Sequence, residues 1–216
     1  MQLKNNTELF QIGKEFHTDK SSHNFNGITY MDIYSIHFES IRFEKLNIME
    51  LGIRKGSSLR AWEAYFSNSN IFGIDIHDCS DIDTERIKTF KGHQNNSILL
   101  KNIIDEYGKM DIIIDDCSHL NQLTIESFNI LWPDLNEKGL YIIEDLRNSY
   151  SGDMKIEMER GKWPGRNDQL NNTCLINNRK VMNEFFFTLI KNMDNLMGDI
   201  HFVNFYPMLC IIGKTI

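Results

Sequence analysis

The sequence predicts one α/β domain: a seven-stranded, mostly parallel sheet with one antiparallel strand and helices on both faces. Three observations carry this. From residue 46 onward, short β-branched apolar runs alternate with amphipathic segments of helix length. The runs DIIID and LYIIE are apolar throughout, as strands buried on both faces are. Two further runs around Pro207 close the chain as a hairpin, which supplies the antiparallel strand.

Residues 1–45 read as an N-terminal helical segment contributing to the mouth of the active site. Thr7 caps a first helix, and YMDIYSIHFESIRF has apolar residues at helical spacing. Between them HTDKSSHNFNG is a polar, turn-rich loop. The core, residues 46–216, opens with the strand LNIMELG. The helix SSLRAWEAYFS follows, with Leu59, Trp62 and Phe66 on one face. NIFGIDI is the second strand, and DTERIKTFKGHQ holds a short helix and a weak third strand. NSILLKNIIDEYG is a helix and MDIIID the fourth strand. A further helix ends at Gly139, before the fifth strand LYIIED. Periodicity is lost over 147–175, a length that suggests a mobile lid. NNRKVMNEFFFTLIKNMDNL is the last helix, followed by the strands IHFVNFY and MLCIIGK.

With 216 residues the chain can bury a full single-domain core. A net charge of −7 argues against a nucleic-acid partner or an anionic membrane surface. The first residues, MQLKNNTELF, are too polar for a secretory leader, and no apolar run approaches the ~20 residues of a membrane span. Cys79, Cys117, Cys174 and Cys210 are scattered, which fits reduced thiols in a cytoplasmic protein.

The stretch from Asp111 to Leu146 carries the chemistry. It forms a βαβ unit, so Asp115, Asp116 and His119 emerge at the same carboxyl edge as Glu144 and Asp145. Carboxylates crowded in this way need a proton or a hard divalent cation between them. A histidine beside such a cation suggests proton abstraction. A zinc site built from His77, Cys79, His93, Cys117 and His119 has no familiar spacing.

Glu50-Leu51-Gly52-Ile53-Arg54-Lys55-Gly56-Ser57-Ser58 joins the first strand to the first core helix. Its glycines permit a tight turn, and the helix start offers free N–H groups. Asp75 ends the next strand, where a carboxylate can accept ribose hydroxyls. The spacing is GxxxG, and Glu50 would repel a phosphate but suits a cofactor with a cationic amino-acid end. That tilts the reading from a nicotinamide dinucleotide toward S-adenosylmethionine.

MELGIRKGSSLRAW, GIDI, DIIIDDCSH and LYIIEDL together resemble the class I S-adenosylmethionine-dependent methyltransferases. More narrowly they resemble the metal-dependent sugar O-methyltransferases of the macrocin and mycinamicin type. Thr18, Asp19, Lys20, His23 and Tyr30 resemble a motif near the start of that family. The chain departs at Cys117, usually glycine, and at His93-Gln94, usually Asp-Gln. The resemblance implies a Rossmann-like methyltransferase fold. It implies Mg²⁺ or Mn²⁺ on Asp116, Glu144 and Asp145, with His119 as the base. For the cofactor it implies Glu50, Gly52, Gly56, Ser57, Ser58, Asp75, Gln94 and Asp115. Lys20, His23, Tyr30, Arg147 and Tyr150 are candidate substrate residues. The expected reaction is methylation of a hydroxyl on a sugar or sugar-containing small molecule, of a bacterial surface glycan precursor or a natural product. The alternatives are a phenolic or other non-sugar acceptor, a nicotinamide oxidoreductase, and a non-catalytic nucleotide-binding module. A homo-oligomer is compatible with all of them.

Overall fold

The computed structural model describes residues 7–22, 24–25, 27–153 and 179–215, and for 24 and 151–153 the backbone alone. His23 and most of the expected lid, from 154 on, lie outside the described residues.

The seven-stranded sheet holds β3 (Asn47–Leu51), β4 (Asn70–Asp75), β5 (Ile87–Lys91), β6 (Met110–Asp115), β7 (Leu135–Ile143), β8 (Ile200–Tyr206) and β9 (Leu209–Lys214). Their order across the sheet is β5-β4-β3-β6-β7-β9-β8. β9 pairs antiparallel with both neighbours, and the other pairings are parallel. This is the expected architecture with its single reversed strand. A separate two-stranded ribbon, β1 (Asn24–Phe25) and β2 (Ile28–Thr29), precedes it.

Among the described residues six α-helices frame the sheet: α1 (Glu8–Glu15), α2 (Tyr30–Phe38), α3 (Ser57–Tyr65), α4 (Ser97–Tyr107), α5 (Asn121–Leu131) and α6 (Arg179–Asp194). Alternation along β6 explains why its apolar run is continuous. Ile112 and Ile114 join the core layer under α1, α2 and α3. Ile113 joins the opposite layer with Leu100 of α4, Phe128 of α5 and Phe186 of α6.

Thr7 caps α1 by accepting from the Phe10 N–H, as its position suggested. At α2, Thr29 and Asp32 form a reciprocal capping box. The helix expected at the start of DTERIKTFKGHQ does not form. Residues Ser80–Ile82 make a 3-10 turn instead, and the Asp83 carboxylate accepts from Thr89 within β5. An acceptor so placed stabilises a loop over a helix. Leu146–Asp153, at the start of the expected lid, is a 3-10 helix.

The chain adds β4 and β5 on one side of β3, then crosses to place β6 and β7 on the other. The crevice at the carboxyl ends of β3 and β6 is therefore the switch point where open α/β sheets bind ligands. In register, Leu51 faces Asp115, and Asp115 faces Ile143. Glu50, Asp116 and Glu144 thus rise from three adjacent strand ends.

Candidate active site

β3 ends at a glycine turn pressed against the loop after β6. Gly52 holds φ +85, and a Cβ there would lie 2.4 Å from the Asp116 carbonyl oxygen. Only glycine permits that approach. The turn is tied from the other side by Asp75. One of its oxygens accepts from the Ile53 and Arg54 N–H groups at 3.1 and 2.8 Å, the other from the His77 N–H at 2.9 Å. Gly56, at φ +71, begins α3, with Ser57 partly exposed at the first helical position.

Glu50 is buried under this loop. It accepts from Ser58 Oγ at 2.7 Å and from Trp62 Nε1 at 2.5 Å. Ser58 therefore braces Glu50. Gln94 is 0% exposed, with its amide reaching Asp115 and Ser127 and its carbonyl accepting from the Ser118 N–H. Gln94, expected at the cofactor, is thus placed behind Asp115 and braces it. Burial pushes the Asp115 carboxyl up to about 7, against the hydrogen bond from the Cys117 N–H.

The acidic residues of the two strand ends do meet. Asp116, His119 and Asp145 offer one ligand atom each, all within 4.8 Å of one another. His119 Nε2 lies 3.9 Å from Asp116 Oδ1 and 3.5 Å from Asp145 Oδ2. His119 and Asp145 are non-glycine residues at φ +56 and +55. Backbones held this way persist only where their surroundings enforce them, and they gather at functional sites. The Asp116 and Asp145 carboxylates fit a hard divalent cation such as Mg²⁺ or Mn²⁺, with the His119 imidazole beside it. Among the described residues no other group of three such side chains converges, so the zinc set does not assemble.

Glu144 sits deeper. It accepts from the Tyr34 hydroxyl, and its Oε1 lies 2.8 Å from Lys20 Nζ. Lys20 is 1% exposed and also reaches Asp116 Oδ2 at 2.5 Å and Glu50 Oε1 at 3.4 Å. Burial alone would lower its pKa, but the Asp116, Glu144 and Glu50 carboxylates outweigh burial and keep the ammonium charged. Burial raises Glu144, and Asp116 adds to it. Asp116 is pushed up to about 6 by burial, with Lys20 opposing. Tyr30 donates to Asp145 Oδ1 at 2.9 Å. Burial and Glu144 raise both tyrosine hydroxyls, which stay protonated donors.

Lys20 and Tyr30, expected at the substrate, are thus engaged with the acidic cluster. Arg147 and Tyr150 are exposed on the 3-10 helix, and Tyr150 (55% exposed) lies 4.6 Å under the Arg179 guanidinium. Tyr34 was missed by the sequence reading. Its spacing from Tyr30 puts both on one face of α2, the one signal that could have found it. Trp62, read as packing alone, also donates to Glu50.

No family model matches the chain. It is 37% identical over 139 residues to the mycinamicin VI 2''-O-methyltransferase of Micromonospora griseorubida, covering 61% of this chain and 32% of that protein. It is 36% identical over 129 residues to the 8-demethyl-8-alpha-L-rhamnosyl tetracenomycin-C 2'-O-methyltransferase of Streptomyces olivaceus, covering 56% and 34%. Among solved structures, the MycE methyltransferase from the mycinamycin biosynthetic pathway in complex with Mg and SAH superposes with a TM-score of 0.75. That match has 28% identity over 97% of this chain and 55% of that one. The chain spans about a third of the length of the curated relatives it matches. The fold is the Rossmann-like methyltransferase fold, and the resemblance read from the motifs holds across sequence and structure.

Proposed function

We propose that this chain, with the fold of the class I methyltransferases and its similarity to their sugar-modifying members, transfers a methyl group from S-adenosylmethionine to a sugar hydroxyl with the help of Mg²⁺ or Mn²⁺. The observation that carries this is the convergence of Asp116, His119 and Asp145 within 4.8 Å at the switch point of the sheet.

Asp116 and Asp145 would hold the cation, with Glu144 fixed behind them by Tyr34 and Lys20. When bound, the cation supplies positive charge for the acceptor oxygen as it gives up its proton. His119 takes that proton at Nε2, which faces both carboxylates. The glycine turn and the start of α3 offer N–H groups to the donor, and the Asp75 lone pairs not used by the turn accept from its ribose. Fixing donor and acceptor in line supplies much of the rate.

Relatives named for mycinamicin VI and for rhamnosyl tetracenomycin-C favour a natural-product sugar as acceptor over a surface polysaccharide precursor. Among the described residues no helix is long and apolar enough to cross a membrane. The buried, widely separated thiols Cys79 and Cys210 fit a cytoplasmic location. The net charge of −7 disfavours nucleic acid.

The test is mass spectrometry of glycosides and catechols incubated with the protein, S-adenosylmethionine and Mg²⁺. A glycoside gaining one methyl, lost on chelation, is expected. Turnover of catechols alone moves the acceptor to phenols. S-adenosylhomocysteine binding without transfer to any acceptor, equal in His119→Ala, leaves a non-catalytic module.

A further inference from the structure

α5 starts two residues after His119, which is held at φ +56 in the loop leading into it. Leu120 takes the cap position and makes no side-chain cap bond, so the helix entry is not fixed in the usual way. On the upstream side the loop is tied down by hydrogen bonds. The Ser118 N–H donates to the Gln94 side-chain carbonyl at 3.1 Å, and the Leu120 N–H donates to Ser118 Oγ at 3.2 Å.

The downstream tie comes from another strand end. Asn121, the first residue of α5, is buried, and its Nδ2 donates to the Ser149 carbonyl at 3.2 Å. Ser149 lies four residues past Asp145 on the 3-10 helix and is also buried. Its Oγ donates to the Leu146 carbonyl at 2.5 Å and accepts from the Arg179 guanidinium at 2.6 Å. Arg179 opens α6. It also donates to Asn183 Oδ1 at 2.8 Å and stacks over the Tyr150 ring, which fixes the plane of its fork. The segment that carries Asp145 and the segment that carries His119 are therefore cross-linked at Ser149, with α6 locking the junction.

We propose that Asn121 is a positioning residue for His119, and that Ser149 and Arg179 complete its brace. Together they hold the start of α5 against the end of β7 and keep the imidazole beside Asp145, where His119 Nε2 lies 3.5 Å from Asp145 Oδ2. This rests on the reading of His119 as the proton acceptor. It gives α6 a part in the site through one guanidinium and two side chains of the neighbouring segments. A base displaced by about 1 Å can cost about 100-fold in rate, so a brace remote from the acceptor acts on turnover.

Crystal structures and methyl-transfer kinetics of Asn121→Leu and Arg179→Met test this, with the glycoside that gains a methyl in the screen above as acceptor. Leucine is close to asparagine in size but donates nothing. In each variant His119 Nε2 should move away from Asp145 by about 1 Å or more. The kcat should fall about 10- to 100-fold, while acceptor KM and S-adenosylhomocysteine affinity change less than about twofold. The double variant should lose no more than the worse single one, because both act through Ser149. Arg179→Lys, which can still donate to Ser149 Oγ, should keep most of the rate. His119 at its native distance from Asp145 in folded Asn121→Leu overturns the proposal, whatever the activity. A displaced His119 with native kcat, or losses that add in the double variant, overturns it too. If Asn121→Leu does not fold, Arg179→Met decides by the same two readings. If the native protein methylates no acceptor, the reading of His119 as the proton acceptor fails, and the place of His119 in the variant structures alone decides the brace.

Discussion

The Tyr30 hydroxyl donates to Asp145 Oδ1 at 2.9 Å, and the Asp145 N–H donates back to the same hydroxyl oxygen at 3.3 Å. These two bonds hold a non-glycine residue at φ +55. Tyr30→Phe removes both and leaves the ring packed. Mn²⁺ affinity should fall about 10- to 100-fold. The melting temperature should fall by only a few degrees, for a loss of about 1 kcal/mol. Calorimetric titration checks this, and an unchanged dissociation constant would count against the Tyr30 role.

Gly52 and Gly198 separate backbone strain from steric contact. Both have positive φ, +85 and +82, but a Cβ at Gly198 meets nothing within 4 Å while one at Gly52 strikes the Asp116 backbone. Gly198→Ala should cost about 1 kcal/mol from the left-handed conformation alone. Gly52→Ala should cost roughly 3 kcal/mol or more and disturb the metal loop as well. Urea unfolding of the two variants compares them directly, and equal costs would refute the close approach.

Asp75→Ala frees the Ile53, Arg54 and His77 N–H groups it accepts from. S-adenosylhomocysteine binding should weaken at least about tenfold, through the loosened turn as well as the lost ribose acceptor. Asp75→Asn, which can still accept from the turn, should lose less. Equal affinity in all three proteins would remove Asp75 from the cofactor site.

His37 gives a pH dependence away from the metal. Burial lowers its pKa below the usual 6.5, while its Nε2 sits 3.0 Å from the Tyr206 hydroxyl. The folded state then binds fewer protons than the unfolded state. The contribution of neutral His37 is present above the unfolded pKa of about 6.5 and is lost as pH falls below it. The melting temperature of the native protein should approach that of His37→Gln as pH drops from 7.5 to 5.5. A constant difference would show that His37 titrates normally.

Much of the fold was legible because both-face burial leaves a plain signature. DIIID and LYIIE read as inner parallel strands, and their shared carboxyl edge put Asp115, Asp116 and His119 beside Glu144 and Asp145. The failures were local. DTER lacked a helix because Asp83 finds its acceptor role in β5, a tertiary pairing that residue type does not reveal. The full burial of Gln94 was not legible either, because it depends on α5 packing over it, through Ser127. The inward path of Lys20 was illegible for a related reason. HTDKSSHNFNG looks like a solvated loop, and only the fold carries its lysine to three distant carboxylates.

The most direct test of the account is anomalous diffraction from crystals grown with Mn²⁺ and S-adenosylhomocysteine. One peak between Asp116 and Asp145, beside the His119 imidazole and next to the donor sulfur, is the predicted result. Density for the cofactor with no metal peak there, or a peak shared with neither carboxylate, would contradict it.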